Sequence, residues 1–135
     1  MIQKLKGFTL VELLIVLGIL ALLLSLAYPS YISFVRKSRR AEAQETMLDW
    51  SSQLEIRRAD EIDYNDASLT PAATTYYSFA VGGLTATTFT LTATAQGLQT
   101  NDKQGAQSCT TIIVNESGDR GDADNATESV CWRQH

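Results

Sequence analysis

The fold of this chain depends on one stretch near its amino terminus, Gly7-Phe8-Thr9-Leu10-Val11-Glu12. It follows a short basic leader and leads into the apolar run Leu13-Leu14-Ile15-Val16-Leu17-Gly18-Ile19-Leu20-Ala21-Leu22-Leu23-Leu24. Residues 8–28 comprise 21 positions, and about 20 helical residues cross a hydrocarbon core of about 30 Å. The segment can therefore hold the protein in a membrane. Its single charge, Glu12, needs a partner, because a carboxylate at the centre of a bilayer costs on the order of 2.5–3.5 kcal/mol.

Two simpler accounts of this region explain fewer of its residues. An ordinary secretory signal peptide does not fit, because no Ala-x-Ala cleavage pattern follows the apolar run. A plain signal anchor with an incidental Glu12 is the second account, but it gives no reason for a carboxylate five residues beyond a glycine that ends a basic leader. Lys4 and Lys6 favour a cytoplasmic amino terminus by the positive-inside tendency. That argument is weakened by the basic residues beyond the apolar run, Arg36, Lys37, Arg39 and Arg40.

These residues resemble the class III signal of type IV prepilins, which the pseudopilins of type II secretion share. The resemblance implies that residues 1–7 are a leader that a prepilin peptidase removes between Gly7 and Phe8. It further implies that the new amino-terminal residue, Phe8, is N-methylated. Glu12 then pairs with the amino terminus of a neighbouring subunit during assembly, and Pro29 is the family's proline after the apolar run. Pairing with an amine relieves most of the desolvation penalty of Glu12, so the carboxylate would set the register between subunits.

A helical pattern resumes beyond Pro29. Proline lacks an amide hydrogen, so we expect a helix kink or loosening at Pro29. An apolar stripe then recurs at helical spacing, at Ala43, Met47, Trp50 and Leu54. The sequence predicts one helix from Phe8 to about Asp60, roughly 80 Å long at 1.5 Å per residue. Its residues 8–28 would form the transmembrane and filament-core half, and residues 29–62 an amphipathic half packed on a sheet.

Residues 63–135 are predicted to form a globular head. Residues 60–75 read as a loop, and residues 76–81, 88–95 and 109–115 read as strands, with a fourth short strand near 129–133. The strand 88–95 alternates most clearly, with Phe89, Leu91, Ala93 and Ala95 on one face and threonines on the other. We therefore expect an α+β fold, the type IV pilin fold, in which an antiparallel sheet covers the second half of the long helix.

Two cysteines, Cys109 and Cys131, stand in the head. An exported chain with an even cysteine count most often pairs them, and a bond closing this loop would stabilise the head by roughly 3 kcal/mol. Such a bond resembles the C-terminal disulfide loop of many type IV pilins. The order of the Thr-rich strand, Asp102, Cys109, Gly118 and Cys131-Trp132 is similar to that of PilE-type minor pilins.

Charge and composition exclude several function classes. From Glu42 onward the chain carries 14 acidic and 5 basic residues, a formal charge of −9, which argues weakly against a dedicated nucleic-acid surface. The acidic segment 115–128 has the oxygen ligands that Ca²⁺ prefers, but it lacks EF-hand spacing and reads better as a solvated turn. No metal site, cofactor or catalytic constellation is predicted, and the only histidine, His135, is the terminal residue.

The sequence therefore predicts a non-enzymatic filament subunit, most like a minor pilin, that supports twitching motility, adhesion or DNA uptake. Its expected partners are other pilin subunits, the prepilin peptidase and an inner-membrane assembly platform. It would wait in the inner membrane with its head in the periplasm and later stand in a pilus on the cell surface. Two alternatives stay open: a pseudopilin of a type II secretion system, and a pilin whose head binds DNA or a host surface.

Overall fold

The computed structural model describes residues 7–61, 64, 70–125 and 128–132. The predicted leader residues 1–6, residues 62, 63 and 65–69 of the predicted loop 60–75, and His135 lie outside the described residues. The chain divides into two units, residues 1–35 and residues 36–135. Each is described by itself below.

Helix α1, Leu10–Glu61, contains 52 residues and continues through Pro29. It begins with a capping interaction, because the Thr9 hydroxyl oxygen accepts a hydrogen bond from the Glu12 backbone N–H at 3.2 Å. The spacing Thr9-x-x-Glu12 is the capping-box pattern that starts many helices. The predicted helix is confirmed, and its observed ends lie within two residues of the expected ones. The kink at Pro29 stays a prediction.

The described residues of the second unit form six strands, which are β1 (Tyr77–Gly82), β2 (Thr90–Ala95), β3 (Lys103–Gln104), β4 (Gln107–Ser108), β5 (Thr111–Asn115) and β6 (Arg120–Asp122). Four of them form the main antiparallel sheet, in the order β1-β2-β5-β6. Strands β3 and β4, which lie between β2 and β5 in the chain, pair as a separate hairpin, and 3₁₀ helices occupy Gly97–Asn101 and Val130–Trp132.

The core of the second unit lies between one face of this sheet and one stripe of α1. The four apolar helix positions predicted to face a sheet are all buried, and so are Phe89, Leu91, Ala93 and Ala95. The register of the strands places residues of neighbouring strands side by side. Ala93 of β2 pairs with Phe79 of β1 on one side and with Ile112 of β5 on the other. Tyr64 also belongs to the core, and its ring packs edge-on against the Phe89 ring with the two centroids 4.9 Å apart. The predicted α+β fold is confirmed.

The strand boundaries at the carboxyl end differ from the prediction. The fourth strand is Arg120–Asp122, and Val130–Trp132 of the segment expected to be a strand is a 3₁₀ helix, while residue 133 lies outside the described part. The cause is a tight turn after β5, in which the Asn115 side-chain oxygen accepts from the backbone N–H groups of Ser117 and Asp119 at 3.1 and 2.9 Å. Gly118, with φ +76°, supplies the left-handed residue that this turn requires. The chain therefore reverses directly into β6.

A disulfide joins Cys109 to Cys131, as predicted. Both residues are buried in the core, and the bridge fixes the 3₁₀ helix Val130–Trp132 to the segment before β5. Helix α1 holds the same end of the chain, because the Gln44 side-chain N–H donates to the Cys131 carbonyl oxygen at 2.9 Å. The disulfide therefore connects the last described segment to the chain just before β5, and the Gln44 hydrogen bond connects it to α1.

Replacing both cysteines with alanine is expected to lower the free energy of unfolding by about 3 kcal/mol, because the bridged residues are 22 positions apart. Denaturant titration of the full chain in detergent micelles, followed by tryptophan fluorescence, measures the change. Wild-type protein treated with reductant is the matched control and should unfold at the same denaturant concentration as the variant. An unchanged midpoint in both samples would contradict this role for the disulfide.

Candidate functional site

The predicted cleavage site lies in non-helical chain just before α1. Gly7 and Phe8 precede the first helical residue, Leu10, and the Phe8 side chain is 85% exposed. Among the described residues other than its chain neighbours, no atom lies within 4 Å of a methyl group placed on Gly7. Packing within the described residues therefore gives no reason for a glycine at this position, and the predicted cleavage between Gly7 and Phe8 stays a prediction.

Glu12 occupies the third position of α1 and is exposed. A carboxylate in the first turn interacts favourably with the positive end of the helix dipole. Its own backbone N–H is already bonded to the Thr9 hydroxyl. Within the part of the chain that the structure describes, no side-chain partner is recorded for the Glu12 carboxylate. The predicted pairing with a neighbouring amino terminus is compatible with this position and stays a prediction.

The first half of α1 exposes apolar side chains around its whole circumference. Large apolar residues from Leu10 to Leu26 are between 47% and 79% exposed. The helix is long and apolar enough to cross a membrane, and none of its apolar window is buried. The hydroxyl of Ser25 bonds back to the Leu22 carbonyl oxygen at 2.7 Å, so this polar group is satisfied inside the helix. A helix that is apolar all round requires lipid or other helices around it.

A buried polar cluster ties the helix to the sheet in the second unit. The Arg40 guanidinium and the Asp102 carboxylate form an ion pair at 2.7 Å, and these residues are only 3% and 1% exposed. Arg40 also donates to the Gln104 side-chain oxygen at 2.7 Å. Gln99 donates to the Tyr77 hydroxyl oxygen at 3.2 Å and to the Arg36 carbonyl oxygen at 2.9 Å. The cluster positions the segment between β2 and β4 on α1.

Burial changes the acidity of two groups in this cluster. It raises the pKa of Tyr77 to about 12, although the hydrogen bond from Gln99 acts in the opposite direction. Burial also raises the pKa of the Asp102 carboxyl above its usual value, while the charge of Arg40 and its hydrogen bond oppose the shift. The cluster is thus structural, and Tyr77 stays neutral at physiological pH.

A second buried carboxylate, Asp122, organises the end of the chain. Burial would raise its pKa, but hydrogen bonds from the Ser129 hydroxyl and from two backbone N–H groups outweigh that effect and lower it. The Ser129 hydroxyl oxygen in turn accepts from the Cys131 backbone N–H at 3.0 Å. The expectation that residues 115–128 form only a solvated turn was therefore wrong at Asp122. Among the described residues, no group of three or more His, Cys, Asp or Glu is placed to hold a metal ion.

The predicted site residues fall into two sets, one in each unit. Gly7, Phe8, Glu12 and Pro29 belong to the first unit, and the disulfide belongs to the second. Sequence reasoning missed the Arg40 cluster. One signal was present, since Arg40 lies three residues before Ala43 on the apolar stripe, and a charge on a buried stripe requires a partner.

Comparison with known proteins agrees with these features. Residues 29–113 match the family model described as type IV minor pilin ComP, DNA uptake sequence receptor. Residues 3–28 match the prokaryotic N-terminal methylation motif. A segment of 54 residues, 40% of this chain, is 33% identical to prepilin peptidase-dependent protein D of Escherichia coli (strain K12), and the match spans only 37% of that protein's length. The structure is similar to that of a type IV pilin from Shewanella oneidensis, with a TM-score of 0.54 and 25% identity over 70% of this chain and 99% of that one.

Substituting Asp102→Ala is expected to destabilise the protein by about 3–5 kcal/mol, because it leaves the Arg40 charge buried without its partner. The double variant Arg40→Met/Asp102→Leu removes both charges and should be much closer to wild type. Denaturant titration of each full-length variant in detergent micelles gives the two values. Equal losses in the single and double variants would show that the side chains matter for packing and that their charges do not.

Proposed function

The chain belongs to the family of type IV minor pilins, and from this premise we propose that it is a low-abundance filament subunit that acts in pilus assembly. Pilins are structural subunits and not enzymes. The observation that carries the proposal is the apolar and exposed first half of α1, which follows Gly7-Phe8 and carries Glu12 as the single charge among residues 8–28. A head with a complete core and disulfide follows it in the chain.

The apolar helix anchors the chain in a membrane before assembly. We propose that the amino terminus faces the cytoplasm and the head faces the periplasm, where the Cys109–Cys131 bond forms in an oxidising compartment. The prepilin peptidase would remove residues 1–7 and methylate the new amino terminus at Phe8. The exposed chain around Gly7 and Phe8 supports access by that enzyme.

Assembly would then move the helix sideways from lipid into a bundle of pilin helices. This transfer leaves the apolar surface of residues 8–28 out of water at every stage, so its hydrophobic cost is small. Residues 29–62 would link this bundle to the head, residues 63–135, which would lie at the filament surface. We propose that Glu12 selects the register, because an unpaired carboxylate among apolar helices retains its desolvation penalty. Inner-membrane assembly proteins and other pilins are the partners that this mechanism requires.

Binding of DNA is the second candidate function. It is favoured by the description of the matching family as a DNA uptake sequence receptor, a match that covers the basic residues before Glu42. The Arg39 guanidinium stacks on the Tyr76 ring at 3.7 Å, a pair that offers both a charge and an aromatic face to a nucleic acid. The excess of acidic residues opposes it and predicts weak, salt-sensitive binding.

Incorporation of tagged protein into sheared pili tests the main proposal. Wild-type protein should label filaments sparsely, and loss of the gene should reduce piliation. Glu12→Ala should still be cleaved and held in the membrane, but its share in filaments should fall by about 100-fold, which corresponds to losing roughly 3 kcal/mol of pairing. Asp60→Ala, which removes an exposed carboxylate later on the same helix, is the matched control.

Other outcomes of this experiment distinguish the alternatives. Dense label along every filament would identify a major subunit. Normal pili without label, together with failed secretion of extracellular enzymes, would identify a pseudopilin. Normal incorporation of Glu12→Ala would remove the register role and leave the pilin assignment intact. Unchanged twitching and adhesion after gene loss would show that the protein is not required for either of these two activities.

Binding of labelled duplex DNA to the full chain in detergent tests the second candidate. One duplex should carry the most over-represented short repeat of the host genome, and its control should carry the same bases in scrambled order. Receptor function predicts saturable binding with a preference for the repeat, weakened as salt rises. Absence of binding to both duplexes at low salt would exclude it.

A further inference from the structure

An open groove of about 790 Å³ lies in the second unit, where α1 meets the 3₁₀ helix Val130–Trp132. Cavities of about 300–1,000 Å³ are typical of sites for small molecules. We call this surface the acidic groove and define it by six of its lining residues, which are Gln44, Glu45, Leu48 and Asp49 of α1, Arg120 of β6 and Trp132 of the 3₁₀ helix.

Gln44 offers a free hydrogen-bond acceptor to the acidic groove. The residue is 5% exposed, and its side-chain N–H donates to the Cys131 carbonyl oxygen at 2.9 Å. Within the described part of the chain, its side-chain oxygen Oε1 accepts no hydrogen bond, and this atom remains in contact with solvent. Because Gln44 lines the groove and is buried elsewhere, Oε1 opens into the groove. A ligand with N–H groups would complete its hydrogen bonding.

Two exposed carboxylates stand on the same wall. Among the described residues, no ion pair or hydrogen bond of the Glu45 side chain is recorded, and Asp49 accepts a hydrogen bond from Gln53 at 2.7 Å. Glu45 and Asp49 are one helical turn apart, about 6 Å along the axis, where like charges repel. Glu42 adds less, because it also lines a smaller groove of about 140 Å³ together with Arg39. The α1 wall of the acidic groove therefore favours a cation that donates hydrogen bonds.

The remaining residues of the groove add apolar surface and one positive charge. Leu48 is 37% exposed, and the Trp132 ring is held in place because its N–H donates to the Gly121 carbonyl oxygen at 2.9 Å. The Arg120 guanidinium lies over this ring, 5.7 Å from its centroid. One guanidinium does not balance the carboxylates, and within the described residues it forms no ion pair with them. Methylene groups would cover Leu48, and an aromatic face attracts ammonium groups.

Other ligand classes fit this surface less well. An anion would be repelled by the carboxylates. Among the described residues, no group of three or more His, Cys, Asp or Glu is placed to hold a metal ion. A protein partner would need a larger apolar centre than Leu48 and Trp132 supply. Two ammonium groups joined by a short methylene chain satisfy the acceptors, the charges and the apolar patch together.

We propose that the acidic groove is a binding site for a linear aliphatic diamine. One ammonium group lies between Gln44 Oε1 and the Glu45 carboxylate, and the other reaches Asp49. The methylene chain between them covers Leu48. Because Gln44 also bonds to Cys131, the bound diamine would reinforce the attachment of the disulfide-closed end to α1. The site belongs to the head alone and does not rest on the proposed function.

Titration with putrescine, a linear diamine, tests the ligand class. It is added to the full chain in zwitterionic detergent micelles, and NMR follows the indole N–H of Trp132 and the side-chain amide of Gln44. Saturable shifts with a Kd on the order of 1 mM are expected, because exposed ion pairs each contribute little. Butylamine, which has the same carbon chain and a single ammonium group, should bind about fivefold more weakly. Equal shifts with sodium chloride at matched ionic strength would indicate screening alone and overturn the proposal.

A charge-neutralising variant tests the location of the site. Glu45→Gln keeps the shape of the side chain and should raise the Kd of putrescine about fivefold, because it removes one ion pair. Asp60→Asn, on an exposed residue of the same helix outside the groove, is the matched control and should leave the Kd unchanged. Both variants should unfold at the wild-type denaturant concentration.

Three results would overturn the proposal. The first is a wild-type Kd in Glu45→Gln, which would place the diamine elsewhere. The second is equal affinity for butylamine and putrescine, which would leave the second ammonium group without a role. The third is displacement of putrescine by a lysine-rich peptide at a concentration about 100-fold lower than its own, which would assign the groove to a protein partner.

Discussion

The apolar first half of α1 cannot remain in water, and this constraint determines the rest of the protein. Each of its leucines and isoleucines exposes a side chain whose burial stabilises a protein by about 1.5–3 kcal/mol. The chain must therefore keep this segment in lipid or among other helices throughout its life. The predicted leader and the predicted pairing of Glu12 are both compatible with that requirement.

The head achieves its own stability in a different way. Its core is small, and the sheet covers only one stripe of α1. Three kinds of connection position the sheet on the helix: the Arg40–Asp102 ion pair, the Gln44 bond to the Cys131 carbonyl, and the disulfide. Apolar packing of Met47 and Trp50 is not directional, whereas these contacts specify one arrangement. The head can then form its complete core while the first half of the helix is still in the membrane.

Charge on the outward side of α1 is only partly neutralised within the described residues. Arg40 is neutralised inside the molecule, but Arg39, Glu42 and Glu45 show no ion pair within the described residues. Two features bear on DNA binding by the head in opposite directions, because the family description favours binding and the acidic balance of the head opposes it.

The sequence by itself determined the long helix, its apolar and amphipathic halves, the inward faces of the strands, and the pilin resemblance. These features depend on periodicity and on a nearly continuous motif, which are local properties of the chain. The tertiary structure alone decided that Arg40 pairs with Asp102, that Asp122 is buried and that β6 replaces the expected strand at 129–133. Arg40 and Asp102 are 62 positions apart, and a pairing over that distance leaves no periodic signal. The composition of the segment after Asn115 indicated a turn. The direction of that turn depends on side-chain hydrogen bonds that only the folded chain forms.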